Sequence, residues 1–348
     1  MHTGNEFIVS PKDFVGKSVG FVTLIEKSTA GLAKNGKPFA SYVFRDNEYT
    51  LEGKEWDCAT PHAANSVVFV EGKMEEFAGK AQINVTFIEA NNTLRPEQFY
   101  RGTPFDVEKL WADLVELVHS FKEPLTAYVA EDILCDSNLI ERIKKSPAAT
   151  GVHNNWFGGL LEHIWSLCTI AEPLIAHYKK HYAPQLSRDK VLFGLMMHDL
   201  GKVVEYNSAN PAFPKTGNGI LANHMVLAPA WIYHSAQRFA QKHDIYGVVG
   251  SPEEFESMTY ELMHLVAAHH GRIDWGSPVV PATLEAVLVH HLDNLDSKML
   301  HAWDLIANTT GDIPGFSAWS KYERTPFLKP KVPDESQGTP AAPPNALF

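Results

Sequence analysis

Two neighbouring side chains that can bind a metal ion, His198 and Asp199, end an apolar stretch at residues 190–202 (KVLFGLMMHDLGK). The apolar residues recur at helical spacing, which predicts a buried helix, and Gly201 lets the chain turn away after it. An imidazole and a carboxylate on a buried helix are energetically costly unless a partner satisfies them. A divalent metal ion is such a partner. The pair therefore indicates metal-dependent chemistry.

Other histidines and acids lie at or inside apolar helical patterns before and after this pair: His163, His224, His269, His270 and Asp293. Fourteen of the 17 histidines fall between His153 and His301. A second His-Asp pair, His243-Asp244, has a polar setting (QKHDIYG) and is interpreted as a solvated helix end. So many histidines in one helical segment predict a metal cavity lined by nitrogen and carboxylate ligands.

The order H…HD…H…HH…D resembles the HD-domain metal-dependent phosphohydrolase superfamily. Four stretches, PAATGVHNNWFGGLLEH, MMHDLGK, AHHGRIDWGS and HHLDNLDSKM, resemble its YhaM-type 3′→5′ exoribonucleases. The resemblance runs from about Phe14 to the mid-320s. It implies a first metal ion held by His163, His198, Asp199 and Asp293, and a second held by Asp199, His224 and the His269-His270 pair.

Three further residues are candidates for catalysis beside Asp199. In the resembled family the region of His153 lines the active site, which implies contact with the scissile phosphate or proton donation; a helix cap or surface position is the alternative. Lys202 follows the His-Asp pair by one turn and is either a cation for the phosphoryl oxygens or a solvated lysine favoured by the helix dipole. Asp296, three residues after Asp293, is expected to orient a ligand or take a proton.

The loop GRIDWGSP after the paired histidines is expected to form the rim of the pocket. In it, Arg272 would grip a phosphate and Trp275 a base. The remaining histidines of this region are interpreted as packing residues or as supports for ligands: His264, His290, His291 and His301.

Residues 12–95 contain about five short alternating runs separated by turn signals, which predicts strands. Asn35-Gly36 is a hairpin-turn candidate. Strands of this number and length fit a small closed barrel, most simply an OB-fold. The stretch GKPFASYVFRDNEYTLEGKEWD also resembles the OB domain of the YhaM-type enzymes, which implies nucleic-acid binding.

Tyr42 and Phe44 lie two residues apart and so face one side of a strand. One interpretation is a stacking platform for single-stranded bases, with Lys37, Arg45 and Lys54 guiding the phosphates. The other is that both rings belong to the barrel core.

The predicted fold is therefore an α+β multidomain chain. Residues 1–98 form the OB-fold domain, residues 99–325 the helical HD domain, and residues 326–348 a disordered proline-rich tail. No signal peptide or membrane span is recognised. The scattered residues Cys58, Cys135 and Cys168 suit reduced thiols, so we expect a cytoplasmic protein.

The formal net charge of −11 argues against a chain that coats itself in nucleic acid, because non-specific affinity for phosphates comes from lysine and arginine. A nucleic-acid substrate must be held by a local patch or by the metal ions.

The predicted function is a metal-dependent 3′→5′ exonuclease for single-stranded RNA, with DNA as a further substrate. One or two divalent transition metal ions are expected, Mn²⁺ first, with Fe²⁺, Co²⁺ or Mg²⁺ as alternatives. Two other functions stay open: an HD phosphohydrolase of small or cyclic nucleotides, and a non-catalytic single-strand-binding accessory protein. Assembly into a homo-oligomer is also open.

Overall fold

The computed structural model describes residues 11–46, 49–149, 155–210 and 213–330. Its N-terminal part is a β-barrel of five strands, and the part that follows is helical. The strands are β1 (Ser18–Leu32), β2 (Pro38–Arg45), β3 (Thr50–Trp56), β4 (Val67–Phe77) and β5 (Lys80–Ala90).

The barrel closes in the strand order β1-β2-β3-β5-β4. Strands β3 and β5 pair in parallel, and the other neighbours are antiparallel. The 15-residue strand β1 pairs with both β2 and β4, and an irregularity between Ile25 and Lys27 lets it bend from one partner to the other. The predicted turn joins β1 to β2, with Gly36 N–H donating to Ala33 O at 2.8 Å. This closed five-stranded barrel confirms the predicted OB-fold.

Tyr42 and Phe44 point into the barrel, where they are 2% and 0% exposed. Their rings stack on each other at 5.2 Å between centroids. The Tyr42 hydroxyl donates to Glu55 Oε2 at 2.8 Å. Of the two interpretations of these rings, the barrel core is therefore confirmed and base stacking is wrong, because the face of β2 that carries them points into the core.

The helical part contains eleven helices among the described residues. They are α1 (Val107–His119), α2 (Pro124–Leu134), α3 (Ser137–Ile143), α4 (Gly159–His181), α5 (Arg188–Met197), α6 (Lys202–Glu205), α7 (Gly217–Leu221), α8 (His224–Lys242), α9 (Ile245–Val248), α10 (Pro252–Ala267) and α11 (Leu284–Asn308).

Helix α5 is the central element of this bundle. From Val191 to Met197 every side chain is buried, and the helix packs against α2, α4, α10 and α11. Because α5 is surrounded, the residues that follow it also lie deep in the bundle. The apolar run before His198 therefore positions that histidine among the other helices.

The barrel is attached beside the first turn of α4. Phe99 packs against the barrel residues Val22, Leu24 and Val67, one residue beyond the predicted domain limit. The next residue but one, Arg101, stacks on the Trp156 ring at 3.9 Å. The predicted boundary between the two domains, after residue 98, stays a prediction. Phe99 packs on the barrel side of the junction.

Backbone hydrogen bonds join the linker around Arg101 to Phe157, two residues before α4. Phe157 N–H donates to Arg101 O at 3.1 Å, and Thr103 N–H donates to Phe157 O at 2.8 Å. The guanidinium of Arg101 also lies 3.3 Å from Asp304 of α11. The linker thus contacts helix α11 and the segment that leads into α4, and both of these helices carry predicted ligands.

Residues 326–330 are ordered, which corrects the predicted start of the tail. Ser317 N–H donates to Phe327 O at 2.8 Å, and Phe316 forms a β-bridge with Leu328. Residues 331–348 lie outside the described residues. Among the described residues, no helix combines the length and the apolar character needed to cross a membrane.

Candidate metal centre

His198 caps the C-terminus of α5, and both it and Asp199 are buried. His198 Nδ1 lies 2.8 Å from Leu195 O, the carbonyl one turn earlier. This contact fixes the ring so that Nε2 faces Asp199 Oδ2 at 3.2 Å. The local helix end therefore sets the direction of the imidazole.

Helices α4 and α11 bring two more predicted ligands to this point. His163 Nε2 lies 3.2 Å from Asp293 Oδ1, and His198 Nε2 lies 3.8 Å from the same oxygen. The ligand atoms of His163, His198 and Asp199 lie within 4.8 Å of one another. We call His163, His198, Asp199 and Asp293 the first ligand group.

A second ligand group consists of His224, His269 and His270, whose ligand atoms also lie within 4.8 Å of one another. His224 begins α8, and the paired histidines follow α10. Nε2 of His224 and Nε2 of His269 each lie 3.8 Å from Asp199 Oδ1. Asp199, a member of the first group, therefore also faces the second: its Oδ2 lies toward His198, and its Oδ1 lies toward His224 and His269.

Four imidazole rings are held through Nδ1, which leaves Nε2 toward the centre. The partners of Nδ1 are Asp296 for His163, Leu195 O for His198, Glu205 for His224 and Val266 O for His269, all at 2.7 or 2.8 Å. Metal-binding histidines commonly donate their second ring N–H in this way, which fixes tautomer and orientation.

Several polar atoms at the centre are buried and make no hydrogen bond to any described residue: Nε2 of His198, Nε2 of His224, Oδ1 of Asp199 and Nδ1 of His270. Leaving such atoms unsatisfied inside a protein costs free energy. Imidazole nitrogens and carboxylate oxygens are ligands of divalent transition metals. The buried donor atoms therefore fit metal ions.

The charges at the centre are consistent with this role. Burial opposes ionisation of Asp199, but Lys202 and His198 hold its pKa well below the usual range. Lys202 Nζ lies 2.5 Å from Asp199 Oδ2. Burial and His198 hold the pKa of His269 well below its usual value, so its ring is neutral, the form that binds metal.

Asp296 lies behind His163 and not within the ligand groups. Its Oδ2 contacts His163 Nδ1 at 2.8 Å, and its Oδ1 accepts a hydrogen bond from Ser166 Oγ at 2.7 Å. Of its two predicted roles, this position suits the orientation of a ligand.

Glu205 of α6 was not identified from the sequence. It is buried and accepts hydrogen bonds from His224 N–H at 3.2 Å and from Lys215 Nζ at 2.7 Å, besides its contact with the His224 ring. Burial raises the pKa of Glu205, but His224 and Lys215 have the larger combined effect and lower this pKa to about 2. Nothing in the sequence pairs Glu205 with His224, because a turn-rich segment separates them.

The predicted rim residues are exposed. Arg272 is bound by Asp274 at 2.9 Å and lies over Trp275 at 5.4 Å. The Trp275 ring lies 6.2 Å from His290, whose Nδ1 contacts His269 O at 2.7 Å. Trp275 is therefore close to the second ligand group, and the charge of Arg272 is already balanced.

The other predicted residues are placed as follows. On the barrel, Lys37 lies 3.1 Å from Asp57, and Arg45 lies 3.0 Å from Glu26, so both cations already have acidic partners. His153 lies outside the described residues. The pair His243-Asp244 is exposed between α8 and α9, which confirms its interpretation as a helix end.

The histidines that were interpreted as packing residues or supports all have partners. His264 Nε2 accepts a hydrogen bond from Ala282 N–H at 2.9 Å, and His301 Nε2 lies 3.0 Å from Ser320 Oγ. His290 supports the backbone of a predicted ligand, and the exposed His291 ring packs beside it at 4.8 Å.

The HD domain family model matches residues 160–298, the interval that contains both ligand groups. Fold and site thus define an HD-domain enzyme with an N-terminal OB-type barrel. The chain is 30% identical to the 3′-5′ exoribonuclease YhaM of Geobacillus sp. (strain WCH70), over 82% of this chain and 84% of that protein. The YhaM proteins of Bacillus pumilus (strain SAFR-032) and Bacillus subtilis (strain 168) are 30% and 28% identical, each over 82% of this chain and 86% of theirs. The chain belongs to the YhaM family.

Among solved structures, the second OB-fold domain of replication protein A from Methanococcus maripaludis aligns with 25% of this chain and 96% of its own, at 13% identity and a TM-score of 0.21. The OB assignment rests on the strand order and closure of the barrel and not on this likeness.

Proposed function

We propose that this protein is a metal-dependent 3′→5′ exoribonuclease that removes nucleotides from single-stranded RNA in the cytoplasm. The observation that carries the proposal is the convergence of buried, unsatisfied histidine and aspartate atoms on both sides of Asp199. Membership of the YhaM family supports the reaction, since the relatives are named 3′-5′ exoribonucleases.

The two ligand groups would hold two divalent cations. Asp199 would contribute to both sites, because its two oxygens face different groups. A bound pair of cations lowers the pKa of a water molecule and stabilises the charge of an in-line phosphoryl displacement. Histidine-rich ligation favours Mn²⁺, Fe²⁺ or Co²⁺ over Mg²⁺, which prefers oxygen ligands.

The residues around the ligands have distinct supporting roles in this proposal. Lys202 keeps Asp199 ionised, and it would neutralise charge on the phosphoryl oxygens from the same position. Asp296 and Glu205 hold the rings of His163 and His224. On the rim, Trp275 would stack on a base.

The function is tested by incubating the full chain with Mn²⁺ and single-stranded RNA labelled at its 5′ end. We expect a ladder of products shortened from the 3′ end, none with EDTA, and none from Asp199→Ala. The exposed-pair variant Asp244→Ala is the matched control and should produce the same ladder as the wild type.

Parallel reactions separate the other two functions. Turnover of cyclic or linear nucleotides without an RNA ladder would replace the proposal by a small-nucleotide phosphohydrolase, a function that the net charge of −11 also suits. RNA retention without any hydrolysis would indicate an accessory binding protein. Comparing the rates on single-stranded DNA and single-stranded RNA measures the preference for ribose over deoxyribose.

A further inference from the structure

Three aromatic rings surround one lysine on the outside of the barrel. Trp56 is 49% exposed and Phe77 is 66% exposed, whereas Phe39 and Lys54 are half-buried beside them. Lys54 Nζ lies 5.0 Å from the ring centroid of Phe39, 5.6 Å from that of Trp56 and 5.9 Å from that of Phe77. We call Phe39, Lys54, Trp56 and Phe77 the barrel aromatic cluster.

The strand alternation explains why these residues point outward. Phe39 is paired directly opposite Trp56, and their ring centroids lie 5.5 Å apart. Lys54 is two residues before Trp56 and shares its face, whereas the intervening strand positions point into the core. Phe77 ends β4 opposite Lys80, at the hairpin to β5.

The three aromatic residues of the barrel aromatic cluster lie outside the buried core of the barrel. The buried cluster that fills the barrel contains none of its three aromatic residues. The Phe39 ring lies across Gly31 of β1, which has no side chain to displace it. Exposed groups of large apolar side chains commonly mark a binding surface.

The chemistry of the cluster favours a nucleic-acid strand over a protein partner. Within the described part of the chain, no carboxylate lies close enough to Lys54 Nζ to form an ion pair, so its charge is available for a phosphate. Protein interfaces are depleted of lysine at their centres. The two exposed rings of Trp56 and Phe77, with a cation between them, suit unpaired bases, whose faces stack on aromatic side chains while phosphates contact the cation.

The cluster lies far from the junction with the helical part. Phe39 is near the start of β2 and Arg45 is its last residue, which separates them by about 20 Å along the strand. Arg45 lies over the Tyr100 ring at 5.3 Å, beside the linker that is hydrogen-bonded to Phe157 ahead of α4. A dinucleotide is too short to reach from the barrel aromatic cluster to the junction with the helical part, whereas a long single strand can do so.

We propose that Phe39, Trp56 and Phe77 form a stacking platform for unpaired bases, with Lys54 binding a phosphate, and that the platform retains long single strands while their 3′ ends are processed. This inference deepens the proposed function and rests on it for the substrate class. The platform raises affinity for long strands and leaves the hydrolysis of short ones unchanged.

The binding test uses the full chain in EDTA, with a fluorescein-labelled 20-nucleotide oligouridine and fluorescence anisotropy as the readout. Trp56→Ala and Phe77→Ala should each weaken binding about tenfold. Lys54→Gln should reduce the slope of log Kd against log salt concentration by about 0.7, the contribution of one phosphate contact to a single strand.

Two variants serve as controls. Phe87→Ala removes an aromatic residue that is 47% exposed on the same barrel and packs on Phe69; its Kd should equal that of the wild type. Trp56→Phe keeps an aromatic face and should retain most of the affinity. Unchanged binding of an abasic oligomer by Trp56→Ala would show that this variant is folded.

An abasic oligomer of the same length separates stacking from charge. The wild type should bind it about a hundredfold more weakly than oligouridine, the product of the losses expected for Trp56→Ala and Phe77→Ala, and Trp56→Ala should weaken its binding no further. Equal Kd values for Trp56→Ala and wild type on oligouridine would overturn the platform. So would an equal loss caused by Trp56→Ala on both oligomers.

Hydrolysis in Mn²⁺ distinguishes this inference from the proposed function. Trp56→Ala should raise KM for the 20-nucleotide RNA about tenfold and leave kcat/KM for a dinucleotide unchanged. Trp56-dependent binding without a 3′ ladder would reject the exonuclease and keep the platform. A normal ladder with wild-type KM in Trp56→Ala would reject the platform alone.

Discussion

Oδ2 of Asp296 lies 2.8 Å from Nδ1 of His163, on the side of the ring that faces away from the other ligands. The second oxygen of this carboxylate is held by Ser166, so the acid is itself oriented. An imidazole fixed in this way presents Nε2 to the centre with little rotational freedom. The first ligand group thus depends on a residue that does not belong to it.

Asp296→Ala should weaken metal binding about 10- to 100-fold, the usual effect of removing a partner behind a metal-binding histidine. Calorimetric titration of the metal-free full chain with Mn²⁺ measures the affinity. Asp312→Ala, which removes an exposed acid, is the control and should leave the affinity unchanged. Unchanged affinity in Asp296→Ala would show that His163 is oriented without it.

Glu205→Ala should selectively reduce occupancy of the second ligand group, because Glu205 holds both the ring and the backbone N–H of His224. The bound metal measured by elemental analysis after dialysis should fall from about two equivalents toward one. Lys215→Ala removes the ion pair to Glu205 without touching His224 and should retain both equivalents. Two equivalents in Glu205→Ala would contradict the predicted dependence.

Metal removal should lower the thermal stability of the protein. Without a cation the buried atoms of His198, Asp199 and His224 lose their proposed partner. Addition of Mn²⁺ at a hundredfold excess over Kd should stabilise the fold by about 2.7 kcal/mol for each occupied site, measured as a rise in Tm. His243→Ala, at the exposed His-Asp pair, should show the full rise, whereas Asp199→Ala should lose most of it.

Gly158→Ala should destabilise the junction between the linker and α4. Gly158 has φ of +77°, and a Cβ atom built there would lie 2.8 Å from Thr103 Cγ2. The left-handed conformation alone costs a non-glycine residue about 1–2 kcal/mol, and the contact adds to this cost. Urea unfolding measures the change in the free energy of unfolding.

Gly36→Ala is the matched control for this change. Gly36 has a similar φ of +80°, but nothing lies within 4 Å of a Cβ atom built there. The loss of stability in Gly36→Ala therefore measures only the cost of the left-handed backbone conformation. If the two variants lose equal stability, the close approach of Thr103 contributes nothing.

The element types were predictable because local patterns determine them. Alternation and turn residues indicated the strands. Helix starts are also set locally: Asp136 begins α3 by accepting N–H bonds from Asn138 and Leu139. The His-Asp pair at the end of α5 was identified from its apolar helix. The extent of the C-terminal segment was not predictable, because the order of residues 326–330 depends on pairing with the chain near Ser317.

The sequence by itself determined which side chains share a face, since periods of two and 3.6 residues follow from backbone geometry. Only the tertiary structure decided which of the two faces of a strand is buried in the core. Tyr42 and Phe44 of β2 fill the barrel, whereas Phe39 of β2 and Trp56 of β3 lie on its outer face. Tertiary packing likewise placed Asp199 between two groups of histidines and Glu205 against His224. Such contacts join residues that no local period relates, because they arise from helices packing around α5.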